Sequence, residues 1–119
     1  CQSLAIANRY IVEALAATIG LKPQFHVASM LPTEGATGDV RLAQVMRAVA
    51  PGGGTYLSGE GGSGYQSPET FTAAGYELRY AEFQHPEYSR GDEPSMAGLS
   101  ILDALFHVGV DATRRLVGA

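Results

Sequence analysis

The residues best suited to chemistry fall in two stretches. The first, Gly59-Glu60-Gly61-Gly62-Ser63-Gly64, spells G-x-G-x-x-G just after the strand-like run Thr55-Tyr56-Leu57. That spacing invites a dinucleotide or phosphate reading, because such a loop can cradle a pyrophosphate on backbone N–H groups. In the true fingerprint, however, the last glycine packs inside the start of a helix. Here Tyr65, Gln66 and the cap Ser67 intervene, so the loop does not seat a pyrophosphate in that way. A looser reading stays open. Gly59, Gly61 and Gly62, with the Ser58 hydroxyl and Tyr65, form the carboxyl end of a parallel strand and offer donors to a polar or anionic small molecule. The competing reading is a mobile glycine-rich turn.

The second stretch is Phe83-Gln84-His85-Pro86-Glu87-Tyr88. His85 lies beyond the end of a strand, where α/β folds place ligand groups, and is the first candidate for a general base. The alternative is a loop histidine bonded to backbone. Tyr88 and Asp103 join the candidate binding set, although capping of the helix behind Ser100 is the simpler account of Asp103. His26 falls inside an expected strand and His107 on the last helix, and both read as structural. No metal site is expected from either. No Ser/His/Asp order, paired carboxylates or P-loop can be assembled, and no cofactor is expected.

These residues must be positioned by regular elements. Leu4, Ala7, Tyr10, Ile11, Ala14, Leu15 and Ile19 recur at helical spacing, with Ser3 as cap and Gly20 as stop. Gln24 to Ser29, between Pro23 and Pro32, reads as a strand. Thr37 caps a second helix with a buried stripe of Val40, Leu42, Ala43, Val45, Met46 and Val49, ended by Pro51 and three glycines. Thr55 to Leu57 is a strand. Ser67-Pro68-Glu69 opens a brief helix to about Ala74, and Tyr76 to Phe83 alternates as a half-exposed strand. After a loop from Gln84 to Gly98, Ser100 and Asp103 fit a capping box on a helix with Ile101, Leu102, Leu105, Phe106 and Val108 on its apolar side. Gly109 stops it, and Asp111 caps a last short helix.

The resulting order of helices and strands predicts a small parallel sheet of about three strands with helices packed on it, a partial Rossmann-like or flavodoxin-like α/β fold. A parallel sheet normally buries both faces, and a chain opening on a crossover helix lacks the strand expected before it. The amino end therefore reads as incomplete.

Composition sets the outer limits. A chain of 119 residues with 45% hydrophobic and 17% charged residues is expected to form one globular domain, residues 1–119. The net charge of −4, without a Lys/Arg cluster beyond Arg114 and Arg115, argues against nucleic acid. No apolar run reaches the roughly 18 residues a bilayer crossing needs, so no membrane is expected. The single cysteine, Cys1, gives no sign of an oxidising compartment, and the cytoplasm is the default. Cys1 itself admits three readings: a boundary within a longer reading frame, an amino-terminal thiol nucleophile, or a lipidated terminus. The first is favoured because Gln2-Ser3-Leu4 supplies no base and helix begins almost at once.

Tyr56-Leu57-Ser58-Gly59, then Gly61-Gly62 and Tyr65, then Phe83 with His85-Pro86-Glu87-Tyr88, then Leu99 to Asp103 with Phe106 and Gly109 resemble, in order and spacing, the WbqC-like family. Ser3-Leu4 through Asn8 to Leu21, and Arg41-Leu42, extend the likeness over nearly the whole chain. The resemblance implies the carboxy-terminal half of a longer protein, the other half carrying a further strand and an Asp/Tyr/Asn/Arg-rich segment. It also implies a place in bacterial polysaccharide or O-antigen synthesis, with transfer of a glycine, aminoacyl or acyl group to a sugar. The partner would then be a sugar or nucleotide-sugar. Two departures bear on the substrate: Arg90-Gly91-Asp92-Glu93-Pro94-Ser95 where relatives are more apolar, and Glu60 where proline is common. If part of the site lies elsewhere, a homodimer formed through an exposed sheet edge is one way to complete it. The rival readings are a non-catalytic module binding a nucleotide-sugar or a protein, and a truncated product without activity.

Overall fold

A computed structural model describes residues 3–33, 35–94 and 96–118. Cys1, with its three readings, and Ser95 of the departing loop lie outside the described residues. The first helix, α1 (Leu4–Thr18), starts after Ser3, which has extended backbone, and ends at Ile19 and Gly20. Gly20 has φ of +85°, a left-handed conformation that glycine adopts without steric cost. The helix α2 (Gly38–Val49) carries Asp39 in its first turn and Arg47 in its last, both favourable to the helix dipole. Strand β1 (Gly54–Gly59) follows, then a 3-10 turn over Glu60–Gly62, helix α3 (Pro68–Ala73) and strand β2 (Tyr76–Ala81). The last helix, α4 (Ile101–Val117), is interrupted at Gly109, whose φ of 77° and ψ of 177° are not helical. That is the break expected there.

The architecture is mixed helix and strand around a small open parallel sheet, an α/β arrangement. β1 and β2 pair in parallel from Gly54 opposite Tyr76 to Gly59 opposite Ala81. Among the described residues the sheet has these two strands, not three. The expected strand Gln24 to Ser29 does not form. Met30 N–H and Leu31 N–H turn back on the carbonyls of Val27 and Ala28 at 2.8 and 3.3 Å, making a 3-10 turn over Ala28–Met30 in place of a ladder. Among the described residues, no helix is long and apolar enough to cross a membrane.

The chain divides into two compact units, one of residues His26–Phe83 and one built from both chain ends, Cys1–Phe25 with Gln84–Ala119. In the His26–Phe83 unit, one sheet face carries Tyr56, Ser58, Tyr76, Leu78 and Tyr80 and is wholly or partly buried, while Thr55, Leu57, Glu77 and Arg79 on the other are exposed. Phe71 of α3 covers the first face. Its side chain is fully buried and its ring stacks on Tyr56 with centroids 5.1 Å apart. The Tyr76 hydroxyl donates to the Ala50 carbonyl at 3.0 Å, joining β2 to the end of α2, and Asp39 accepts the Ser67 N–H at 2.7 Å, joining α2 to the start of α3.

In the unit built from the chain ends, Ile19, Ala104 and Thr113 are buried. The apolar stripe of α1 is covered only at its end: Leu4, Tyr10 and Ile11 are exposed and no residue of the helix itself is buried, whereas Ile19 just beyond it is. Phe106, expected on the apolar side of α4, is 86% exposed. Periodicity identifies which residues share a helix face but not whether another layer covers it.

Candidate functional site

The glycine-rich loop and the histidine loop fall in different units. In the His26–Phe83 unit, β1 delivers Ser58 to the sheet end on its covered face, so this side chain is buried at 8% exposure. The loop then winds into the 3-10 turn. The Gly62 carbonyl accepts the N–H groups of Tyr65 and Gln66 at 3.2 and 3.0 Å, and the Glu60 carbonyl accepts that of Ser63 at 3.1 Å. The loop is thus an internally bonded turn.

None of Gly59, Gly61, Gly62 or Gly64 has a positive φ, so backbone conformation does not require glycine there. Close approach does at Gly62. A Cβ on this buried residue would meet the Gln66 side-chain amide and come within 2.6 Å of the Ser58 Oγ, while one on Gly59, Gly61 or Gly64 would meet nothing. The structure therefore brings together Ser58, Gly62 and Gln66 as a packed polar nook. Tyr65 projects at 78% exposure, and Gly59 and Gly61 are exposed. Gln66 was not among the sequence candidates. Its Oε1 is buried and finds no donor among the described residues. The turn separates Gly64 from α3 by Tyr65, Gln66 and Ser67, as the sequence spacing requires.

The unit built from the chain ends holds the denser constellation. Asp103, in the first turn of α4, was expected to return a capping bond to Ser100. Ser100 does cap, its Oγ accepting the Leu102 N–H at 3.3 Å. The Asp103 carboxylate instead gathers the preceding loop. It accepts the Tyr88 hydroxyl at 2.8 Å, Arg90 Nε at 3.1 Å and Arg90 Nη2 at 3.3 Å, the last two as a two-pronged fork. Arg90 is further held by the Pro94 carbonyl at 3.0 Å and by Glu93 at 2.8 Å. Its side chain is only 11% exposed and that of Asp103 20%, so these bonds are partly withdrawn from solvent screening.

The charges tune one another. The Arg90 guanidinium, and next the Tyr88 hydroxyl, hold the Asp103 carboxyl below its ordinary value. The bond to Asp103 in turn raises the Tyr88 phenol and the Arg90 guanidinium. Tyr88 therefore stays a neutral donor across the physiological range.

His107, one turn further along α4, completes the group. Its Nδ1 lies 2.9 Å from the Asp103 backbone oxygen and 3.4 Å from the carboxylate Oδ2. A carbonyl oxygen can only accept, so this contact requires the proton on Nδ1, and in the neutral form of the ring the lone pair then lies on Nε2. This orientation by a backbone oxygen and a carboxylate is the arrangement found behind general bases. His107 was read as structural from its place on the last helix, yet Asp103 and His107 stand at i and i+4, and that spacing was the available signal. Arg90 was visible only as a departure from the family pattern. His85 is exposed, on the loop preceding Tyr88. Of the sequence candidates, then, Tyr88 and Asp103 are in direct contact, and Ser58 and Gly62 form a second group. Among the described residues, no group of three or more His, Cys, Asp or Glu side chains is arranged to hold a metal ion.

No curated protein and no solved structure matches the chain. The sequence profile of the WbqC-like protein family matches residues 1–115. The stretches on which the resemblance was read, from the helix after Ser3 to the helix carrying Asp103 and Phe106, all fall inside that match, and the chain belongs to the WbqC-like protein family.

Proposed function

We propose that this protein takes part in transfer of an acyl or aminoacyl group to a sugar-linked acceptor, with a histidine serving as general base. The observation that carries this reading is the 2.9 Å approach of His107 Nδ1 to the Asp103 carbonyl, which orients the ring and, in its neutral form, leaves the lone pair on Nε2. In such a transfer the acceptor amine attacks the carbonyl carbon of an activated acyl donor. A C–N bond forms, the bond from carbon to the leaving group breaks with its electron pair going to that group, and the proton lost from nitrogen passes to Nε2. Asp103 is a positioning residue in this scheme, because its oxygens are engaged by Tyr88 and Arg90. His85 remains the rival base, and Ser58, Gly59, Gly61, Gly62 and Tyr65 are a separate candidate binding loop within the His26–Phe83 unit.

The test measures product by mass spectrometry, with an aminosugar acceptor and an activated acyl donor, on the wild type and the separate variants His107→Ala and His85→Ala. Loss of the working base lowers turnover on the order of 10²–10⁴-fold. A drop confined to His85→Ala reassigns the base. Saturable nucleotide-sugar binding without any product replaces the enzyme reading with that of a binding module.

A further inference from the structure

The outer edge of β2 is open to a further strand. Tyr76 to Ala81 keep an unbroken register with β1, so the strand has no bulge, and it contains no proline. Bulges and prolines are two devices that keep an exposed edge from pairing with another chain. Backbone groups of alternate residues turn to opposite edges, so half of those on β2 face away from β1. Among the described residues, none of Tyr76–Ala81 has a backbone hydrogen bond to backbone outside the two-stranded sheet.

The side chains decide what can pair there. A second β2 related by a two-fold axis perpendicular to the sheet runs antiparallel and keeps the covered faces of both copies on one side. Residues directly opposite must then share a face, so the axis passes beside a residue. Centring on Glu77 or Arg79 sets that charge against itself. Centring on Leu78 sets Glu77 against Arg79 of the second copy, twice by symmetry, on the exposed face. On the covered face Leu78 then meets Leu78, and Tyr76 meets Tyr80. Leu78 and Tyr80 are only half-buried within one chain, so the second copy extends their cover.

Within one chain Arg79 Nε already donates to Glu77 at 2.8 Å, and both side chains are exposed. Neighbours on one face of a strand are about 6.6–6.8 Å apart along the chain, whereas directly opposite Cβ atoms across an antiparallel pair are about 4.5–5.5 Å apart. The same two charges therefore reach the second copy with less extension. β1 has no charged residue from Gly54 to Gly59, so its outer edge lacks this selection of register.

We infer that a second copy of this chain docks on the outer edge of β2, the two strands running antiparallel about Leu78 to make a continuous sheet in the order β1-β2-β2-β1. This surface is independent of the proposed transfer chemistry.

The experiment is sedimentation of the whole chain from micromolar to submillimolar concentration, with amide hydrogen exchange read over the same range. A monomer–dimer equilibrium is expected, with exchange at Glu77 to Tyr80 slowing as the dimer forms. Arg79→Glu and Glu77→Arg should each weaken it at least about tenfold, because both cross-strand pairs become like-charged. The doubly exchanged Glu77→Arg and Arg79→Glu chain should recover the dimer, and an equimolar mixture of the two single variants should form a heterodimer, since every pair is again opposite. Circular dichroism checks that each variant is folded, as expected for exposed positions. A monomer throughout the range, protection that rises outside β2 instead, a dimer indifferent to the single variants, or no recovery in either the doubly exchanged chain or the mixture would each overturn the assignment.

Discussion

Replacing Phe71 tests how the strand that carries Ser58 is held. The ring is fully buried and lies 5.1 Å from that of Tyr56. Burial of such a side chain is worth about 1.5–3 kcal/mol, and the cavity left by truncation brings the usual cost of Phe→Ala to about 3–5 kcal/mol. Phe71→Leu keeps most of the volume and should cost no more than about 1.5 kcal/mol. With an m-value of about 1–1.5 kcal/mol/M in urea, the leucine variant shifts the midpoint by about 1 M and the alanine variant by at least about 2 M. Equilibrium urea unfolding followed by far-UV circular dichroism reads both. Since the total stability of a domain is about 5–15 kcal/mol, the alanine variant should lose much of its folded baseline. A Tyr56→Ala and Phe71→Ala double-mutant cycle should leave a coupling of about 0.5–1.5 kcal/mol for the stacked pair. If Phe71→Ala cost under about 1 kcal/mol, the ring would not be the element that seats β1, and the account of how Ser58 is positioned would fall with it.

Two further outcomes follow from the sites themselves. Gly62→Ala should destabilise by about 1–3 kcal/mol in the same unfolding assay, because the new methyl must displace the Ser58 hydroxyl and the Gln66 amide; a neutral result would mean that the nook is loosely packed. The Asp103 carboxyl is held below its ordinary 3.8, so the bonds it forms contribute stability that is fully present above that value and lost as pH falls through the lower folded value. On acidification below about pH 4, Arg90 Nε–H in NMR spectra should lose its protected signal as the loop over residues 88–94 is released. In Asp103→Asn this dependence should be absent, and a wild-type signal unchanged down to pH 2 would contradict the proposed network.

Much of the secondary structure was legible because its signals are local. Ser67-Pro68-Glu69 marked the start of α3, Gly20 the end of α1 and Gly109 the break in α4, and each acts through its own backbone. The missing strand at Gln24 to Ser29 was misread because an apolar run between prolines fits either an extended ladder or a turn, and only partner availability decides between them. The same limit applies to α1, whose apolar spacing is genuine while Leu4, Tyr10 and Ile11 stay exposed. At the site, Tyr88 and Asp103 were visible as residue types on a loop and a helix start, but their bond spans fifteen residues of irregular chain that no periodicity describes. Arg90 was hidden among polar loop residues for that reason. The four glycines were legible only as a donor loop or a mobile turn, whereas the constraint falls on Gly62 and comes from its neighbours Ser58 and Gln66.

One of the two units is discontinuous, with His26–Phe83 as an excursion between its halves. The Arg114 guanidinium occupies the space a side chain on Gly20 would need, with Nη2 2.6 Å from that position, so the two halves meet across more than ninety residues of sequence. Closing a flexible loop the size of the excursion costs about 3–4 kcal/mol in chain entropy. During synthesis, the helix behind Ser3 must wait for more than ninety further residues before Arg114 emerges, whereas β1, α3 and β2 are close in sequence and can assemble as soon as they leave the ribosome. The order of assembly is thus written into the connectivity: the inserted segment folds first, and the unit carrying Asp103 and His107 is the last to be completed.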